Sequence, residues 1–358
     1  MPSLNDLGWD ETFAEAFAAH AAAGLVPGRV AVQHRGAYDV LTEHGELRCD
    51  VAGRLYDESA SPADLPAVGD WVAVAPRLAE SAGTIHAVLP RRTRFSRKTA
   101  WQATEEQVVA ANVDVVFIVT SMNEELNLRR LERYLILARE SGASPVILLA
   151  KSDLARDVES TVEEVRSVAF DIPVHAVSSV TGEGLDSVRA YLRPGVTAAL
   201  LGSSGVGKST LVNKLAGEEL LLTREIRDDG RGRHTTTRRE LVQLPDGALV
   251  IDTPGMRELQ LWVADEGLEE AFADVTSLFA KCRFSDCRHE SEPGCAVRAA
   301  LADGTLAPER WDSYLRLQAE LEHLERRIDK RAEAEARRRW RSLSRAARNA
   351  RRAKGGPS

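Results

Sequence analysis

The chain has 358 residues, of which 44% are hydrophobic and 28% charged, and its formal net charge is −7. This length and composition suit two or three globular domains and exclude a disordered or fibrous protein. Four cysteines are too few for a disulfide framework, and the apolar runs are far shorter than the ~18 residues of a membrane-spanning helix. The N-terminal segment lacks the basic and apolar regions of a secretion signal. We therefore expect a cytoplasmic protein without a membrane segment.

The charge is unevenly distributed along the chain. Residues 326–358 contain thirteen Lys or Arg and three acids, so this tail carries +10 while the rest of the chain carries −17. A basic block of this kind is typical of a solvated arm that binds a polyanion, most commonly nucleic acid. The alternative is a helical tail that has no partner.

Taken in chain order, the predicted elements form a multidomain protein. An Ala-rich helical extension, residues 1–27, precedes short strands over 28–97 that predict a small β-barrel. Buried strands then alternate with helices over 98–261, which predicts an α/β domain with a parallel sheet. Residues 262–325 predict a mostly helical domain around a cysteine cluster, and the basic tail of 326–358 follows.

A phosphate-binding loop is predicted inside the α/β domain. Residues 202–210 fit the pattern G-x-x-x-x-G-K-[ST], with an apolar strand before them and a helix-like segment after them. Such a loop lets backbone N–H groups meet phosphate oxygens at a helix N-terminus. We expect Lys208 to reach the β- and γ-phosphates and Ser209 to bind Mg²⁺. The predicted binding residues are Gly202, Ser203, Ser204, Gly205, Val206, Gly207, Lys208, Ser209 and Thr210.

Two later segments predict the magnesium and γ-phosphate contacts. Asp252 begins an Asp-Thr-Pro-Gly sequence after a predicted strand, where its carboxylate can hold Mg²⁺ through water. Gly255 can offer its backbone N–H to the γ-phosphate. A threonine-rich loop lies between the two motifs, and the hydroxyl of Thr236 or Thr237 can complete the magnesium shell. The sequence does not separate these two threonines.

Guanine recognition is expected from Lys151, Ser152 and Asp153, which follow a predicted apolar strand. A carboxylate accepts hydrogen bonds from two neighbouring donors of guanine, a pair that adenine lacks, so Asp153 is expected to reject ATP. Lys-x-Asp alone is a weak pattern, and a P-loop ATPase is the alternative. Ser178 lies at the end of the next predicted strand, where a backbone N–H can meet the guanine carbonyl.

A metal site is predicted near the C-terminus. Cys282, Cys287, His289 and Cys295 have the spacing C-x₄-C-x-H-x₅-C. Three thiolates and one imidazole complete a tetrahedral Zn²⁺ shell, and a closed shell of this type is structural. The alternative is three buried cysteines beside an unrelated histidine. The remaining cysteine, Cys49, is expected to be a small core residue.

A basic segment follows the predicted barrel. Residues 90–98 contain five cations and one aromatic residue, Phe95. The cations can contact phosphates while Phe95 stacks on an exposed base, as single-stranded nucleic acid binders commonly arrange. The alternative is a solvated linker.

The order of these motifs resembles that of the circularly permuted GTPases. Ordinary GTPases place the P-loop first and the base-recognition loop last, whereas here Asp153 precedes Gly202. Within that group the chain resembles the ribosome-small-subunit-dependent GTPase A family over nearly its whole length, including the runs 106–114 and 232–237. The resemblance implies an OB-type barrel, hydrolysis of GTP to GDP and phosphate, binding and stimulation by the small ribosomal subunit and its 16S-type rRNA, and a role in late subunit maturation. We expect a monomer.

The resemblance also bears on catalysis. It makes His234 the candidate that polarises the attacking water, together with Lys208 on the phosphates. The alternative for His234 is a surface histidine without a catalytic role. Met256 stands where Ras-like enzymes have a water-orienting glutamine, and Ala150 stands where the family usually has Asn or Thr. These two departures favour a second interpretation, an RNA-binding assembly placeholder whose hydrolysis is incidental.

Overall fold

A computed structural model describes residues 3–98, 106–122, 126–169, 171–203, 205–217, 239–252, 268 and 271–319. Within these ranges, no helix combines the length and the apolar character needed to cross a membrane.

The N-terminal part is a five-stranded barrel preceded by one helix, α1 (Glu11–Ala22). The strands pair in the order β1-β2-β3-β5-β4, and β1 also pairs with β4, which closes the barrel. This arrangement confirms the predicted barrel. The elements are β1 (Val26–Gln33), β2 (Tyr38–Thr42), β3 (Gly45–Val51), α2 (Gly53–Glu58), β4 (Trp71–Arg77) and β5 (Ala82–Val88).

The barrel interior consists of apolar side chains from all five strands. Alternate residues of a strand point to one face, so each strand contributes its inward set to a single core. Cys49 is 1% exposed within this core, and burial raises the pKa of its thiol to about 12, as expected of a packing residue. The core residues are Val30, Tyr38, Val40, Leu47, Cys49, Val72, Val74 and Ile85.

The segment before α1 and the helix itself cover the outside of the barrel. Trp9 packs edge-on against Trp71, with the ring centroids 4.7 Å apart, and Phe13 and Phe17 surround the pair. Aromatic rings in such arrangements bury large apolar areas. The N-terminal extension is therefore part of the packed structure.

A two-stranded hairpin and a six-stranded sheet form the α/β part. The hairpin is β6 (Arg94–Lys98) with β7 (Glu106–Ala111). The sheet has the order β10-β9-β8-β11-β13-β12, in which only β12 is antiparallel to its neighbour. The elements are β8 (Val115–Ser121), α3 (Leu128–Ser141), β9 (Ser144–Ala150), α4 (Val158–Ala169), β10 (Val174–Val177), α5 (Leu185–Arg189), β11 (Thr197–Leu201), α6 (Lys208–Ala216), β12 (Arg239–Gln243) and β13 (Leu249–Asp252).

The predicted alternation of strands and helices is confirmed, because apolar runs such as Val146–Leu149 are buried on both faces of the sheet. The barrel and this sheet are joined directly. Val32 and Gln33 of β1 pair with Glu240 and Arg239 of β12, so one sheet of eleven strands runs through both parts.

The C-terminal part is helical and packs on α3 and α4. It contains α7 (Ala273–Phe279), α8 (Ala296–Asp303) and α9, residues 308–319. Phe272, Val275, Val297 and Tyr314 form its core together with Ile136 of α3. The cysteine cluster lies between α7 and α8.

Candidate functional site

The phosphate-binding motif forms the loop between β11 and α6, at the carboxyl edge of the sheet. Gly202, Gly205 and Gly207 have φ values of 146°, 84° and 105°, which only glycine adopts readily. At Gly202 a Cβ atom would lie 2.2 Å from the carbonyl oxygen of Val119 on β8, so no other residue fits there. The glycine pattern thus has a steric reason in this chain.

Lys208 is the first residue of α6, and its side chain turns back into the loop. It is 8% exposed, and its Nζ donates to the carbonyl oxygens of Gly202 at 2.7 Å and Ser203 at 2.5 Å. Its ammonium group therefore lies among backbone groups at a helix N-terminus, where anions are favoured. Ser209 and Thr210 follow in the first turn of the same helix.

The predicted base-recognition residues lie at the same edge of the sheet. Lys151 follows β9 with a left-handed φ of 61°, and its Nζ donates to the carbonyl oxygen of Gly205 at 2.9 Å. Asp153 Oδ1 accepts a hydrogen bond from Ser178 Oγ at 2.5 Å. The structure thus brings the base loop, the segment after β10 and the P-loop together.

Ser178 organises the turn after β10. It is fully buried, and its Oγ also accepts hydrogen bonds from the backbone N–H groups of Val180 at 3.2 Å and Thr181 at 3.1 Å. Ser152 is 7% exposed and lies between the two polar residues of the base loop. These contacts orient the Asp153 carboxylate before any nucleotide binds.

Ala150 is the last residue of β9 and is 5% exposed. It pairs with Ser121 of β8 and with Val177 of β10. A methyl group at this position makes no hydrogen bond across the loop, so Lys151 supplies the tether between the base loop and the P-loop.

Several predicted residues lie outside the described part of the chain. The backbone of Asp252 ends β13, which pairs with β11, the strand before the P-loop. Ser204, His234, Thr236, Thr237 and Gly255 fall in ranges that the structure does not describe.

The four predicted metal ligands converge. One donor atom each from Cys282, Cys287, His289 and Cys295 lies within 4.8 Å of all the others. His289 Nδ1 is 3.5 Å from the sulfur atoms of both Cys282 and Cys295. Three sulfurs and one imidazole nitrogen at this spacing match the donor set of a structural Zn²⁺ site, so the residues fit the ion.

The surroundings of the cluster favour the metal-binding forms of two of its ligands, His289 and Cys282. Burial lowers the pKa of His289, which favours the neutral imidazole. Burial of the Cys282 thiol is outweighed by donors that include the N–H of Ala296, at 3.4 Å from Sγ, and its pKa falls below the ordinary value. Glu292 shapes the loop, since its carboxylate accepts from the N–H groups of Arg288, Glu290 and Ser291 at 3.0 Å each.

The basic segment after the barrel differs from the prediction. Phe95 is 2% exposed and belongs to the main core, so the expectation that it stacks on a base is wrong. The reason is the pairing of β6 with β7, which turns Phe95 inward opposite Ala110. Arg91 is also committed internally, because its Nε and Nη2 bind the buried carboxylate of Asp70 at 2.8 and 2.7 Å.

One contact of the P-loop was not predicted. Arg130, in the first turn of α3, donates from Nη1 to Ser203 Oγ at 2.6 Å. The two residues are 73 positions apart and match no motif, so the sequence alone gives no signal for this pair.

Comparisons with known proteins agree with this geometry. A family model described as RsgA GTPase matches residues 88–262. A relative from Opitutus terrae, named small ribosomal subunit biogenesis GTPase RsgA, is 51% identical over 351 residues, which cover 95% of this chain and 96% of the relative. A relative of the same name from Streptomyces coelicolor is 46% identical and covers 94% of this chain and 92% of the relative.

Solved structures agree as well. YjeQ from Thermotoga maritima has a TM-score of 0.65 at 28% identity and covers 83% of this chain and 98% of its own. YloQ, described as a circularly permuted GTPase, has a TM-score of 0.61 at 24% identity, covers 84% of this chain and 96% of its own, and supports the fold alone. These likenesses confirm the predicted fold, its permuted order and the family resemblance. The chain belongs to the RsgA GTPase family.

Proposed function

We propose that this protein is a GTPase that acts in the biogenesis of the small ribosomal subunit, binds the subunit and its 16S-type rRNA, and is stimulated by it. The names of the relatives from Opitutus terrae and Streptomyces coelicolor support the small subunit as the partner. We further propose that it works as a cytoplasmic monomer without a membrane segment.

The observation that carries the proposal is the hydrogen bond from Lys151 Nζ to the carbonyl of Gly205. It joins a base-recognition loop to a phosphate-binding loop across one edge of the sheet. A nucleotide needs both loops at once, because its base and its phosphates are separated by the ribose. The proposed guanine contacts are Lys151, Ser152, Asp153 and Ser178.

The P-loop residues account for phosphate binding. Backbone N–H groups at the start of α6 and the ammonium of Lys208 face the phosphates and stabilise the charge that develops on the transferred group. Asp153 selects guanine, since its carboxylate would stay unpaired against adenine. Ser209, Asp252 and one of Thr236 or Thr237 would hold Mg²⁺, which would supply additional charge neutralisation on the phosphates. Gly255 is proposed to donate its N–H to the γ-phosphate.

His234 is proposed to orient and polarise the attacking water. Met256 has no group that can do this, so hydrolysis without a partner is expected to be slow. Stimulation by the small subunit then requires that bound RNA places His234 against the nucleotide.

The C-terminal residues are proposed to form a structural zinc centre with a basic tail. The ligand set of Cys282, Cys287, His289 and Cys295 leaves no position for water, so the ion stabilises the fold of this region. The tail of 326–358, with its excess of Lys and Arg, supplies phosphate contacts that hold the protein on RNA without selecting a sequence.

GTP turnover by the purified protein tests the proposal. It is measured for the protein alone, with isolated small subunits and with isolated large subunits, and ATP serves as the control substrate. We expect strong stimulation by small subunits only. Stimulation by large subunits, or equal turnover of ATP, would overturn the proposal.

His234→Ala separates the GTPase from an assembly placeholder. We expect it to abolish stimulated turnover while GTP and small-subunit binding persist. If maturation of the subunit proceeds normally with this variant, hydrolysis is incidental and the placeholder interpretation holds instead.

A further inference from the structure

Helix α3 contacts three parts of the molecule through three sets of side chains. Leu131 and Leu135 pack into the main core of the α/β part. Glu132 and Ile136 are one helical turn apart and are buried against the C-terminal region. Arg130 points instead to the P-loop. One rigid helix therefore touches both the nucleotide loop and the zinc-bearing region.

The P-loop end of this helix is fixed by a cap. Asn127 Oδ1 accepts a hydrogen bond from the backbone N–H of Arg130 at 3.0 Å, which orders the first turn. From this turn the Arg130 guanidinium reaches Ser203 Oγ at 2.6 Å. An always-charged group beside a phosphate-binding loop favours anions, and it favours GTP over GDP because GTP carries one more negative charge.

The second contact of α3 is with the C-terminal region. Glu132 is 3% exposed, its Oε1 is buried without a hydrogen-bond partner among the described residues, and Ser313 on α9 and the guanidinium of Arg310 lie near its carboxylate. Arg310 is itself 7% exposed, and its Nη2 donates to the carbonyl oxygen of Ala271 at 2.7 Å. Its Nη1 donates to the carbonyl oxygen of Val168 on α4 at 3.4 Å, so undocking the C-terminal region would remove a partner from this buried guanidinium.

We propose that α3 couples the nucleotide at the P-loop to the zinc-bearing C-terminal region, with Arg130 and Glu132 as the positioning residues at its two contacts. This rests on the proposed nucleotide site. Arg130 and Glu132 are two residues apart in the first turns of one helix, so a shift of the C-terminal region displaces Arg130 relative to Ser203. Linkage is reciprocal, so a region that favours GTP binding is itself stabilised by GTP.

The first test measures the affinity for fluorescent GTP and GDP derivatives. Arg130→Ala should weaken GTP about fivefold or more, the lower end of typical coupling between sites, and should weaken GDP less. Arg130→Lys should restore part of the loss. Arg189→Ala, on the exposed side of α5, is the control, since it removes the same charge away from α3 and keeps the Ser203 contact. Wild-type affinity in Arg130→Ala would overturn the proposal.

A double-mutant cycle tests the transmission through the helix. Glu132→Ala should weaken GTP binding in the wild-type background but add nothing in the Arg130→Ala background. Ser313→Ala removes the hydroxyl of α9 that lies near Glu132, with less loss of packing, and should act likewise. Glu132→Gln keeps the size and an acceptor oxygen of the side chain and should resemble the wild type. Effects that add independently would overturn the coupling.

Zinc release provides the reciprocal measurement, without enzyme turnover. In the wild type, a nonhydrolysable GTP analogue should slow the transfer of zinc to a chelator relative to GDP, and Arg130→Ala should abolish the difference. Equal release rates with both nucleotides would overturn the coupling while leaving the proposed function intact. Failure of the wild type to bind GTP at all would overturn the proposed function itself.

Discussion

Val32 of the barrel and Asp252 of the α/β part pair with the same residue, Glu240 of β12. Asp252 is the proposed magnesium carboxylate, so the barrel lies one strand away from the nucleotide edge of the sheet. Backbone hydrogen bonds cross the boundary between the two parts. We therefore expect them to unfold as one cooperative unit.

The variant Val32→Ala tests whether the barrel and the α/β part unfold together. Val32 is 5% exposed within the main core, so losing its methyl groups should lower the free energy of unfolding by about 2 kcal/mol. Urea denaturation measures the change, and hydrogen exchange should show equal loss of protection in β1 and β12. Val180→Ala, at a residue 77% exposed, is the control and should change stability by less than about 0.5 kcal/mol. Loss of protection in β1 alone would contradict a shared unit.

Asp153→Asn should remove the preference for guanine. The variant lacks the carboxylate that pairs with the two guanine donors, so GTP affinity should fall about 100-fold or more. Xanthosine triphosphate carries a carbonyl in place of the amine and should bind the variant better than GTP does. Competition binding against a fluorescent nucleotide measures the affinities for GTP, xanthosine triphosphate and ATP. Glu159→Gln, on the exposed start of α4, should leave them unchanged, and an unaltered ratio of GTP to ATP affinity in Asp153→Asn would refute the assignment.

Cys287→Ser should release the zinc and loosen the C-terminal region. The four donor atoms lie together between α7 and α8, and the cysteines pack against the core of that region, so losing one ligand affects both binding and packing. Elemental analysis should show loss of bound zinc, and limited proteolysis should cut after α7 while the barrel stays intact. Cys49→Ala, in the barrel core, should retain the metal. Unchanged zinc content in Cys287→Ser would show that this cysteine is not a ligand.

Glu132→Gln should flatten the pH dependence of stability. Burial raises the pKa of the Glu132 carboxyl above its ordinary 4.5, although Ser313, Arg310, Arg316 and Arg129 oppose the shift. A group with a raised folded-state pKa contributes stability that is present below its unfolded pKa and lost as the pH rises through the folded value. The wild type should therefore lose stability relative to Glu132→Gln as the pH rises above about 4.5.

Urea denaturation of both proteins at several pH values from about 5 to about 8 measures this difference. The zinc ligands are the same in both, so their own titration cancels. If the plots of stability against pH are parallel for the two proteins, the pKa of Glu132 is not raised in the folded protein.

The P-loop, the base loop and the zinc ligands were predictable because each depends on short spacings within one segment. The alternation that predicted the α/β sheet is likewise local, since both faces of each parallel strand are buried. Phe95 was misassigned because its neighbours in sequence are cations, whereas its partner Ala110 lies on another strand. Long-range contacts such as Arg130 with Ser203 left no trace in the sequence, because a single polar pair has no periodicity.

The continuous sheet also limits strand pairing between two copies of this protein. A strand with one unpaired side is a template for another chain, and β12 would be such a strand if the barrel did not pair with it. β4 is protected in turn by its pairing with β1. Among the described strands of this sheet, β10 remains at an edge, and it has only four residues. By covering β12, the barrel protects the α/β sheet from edge-to-edge aggregation.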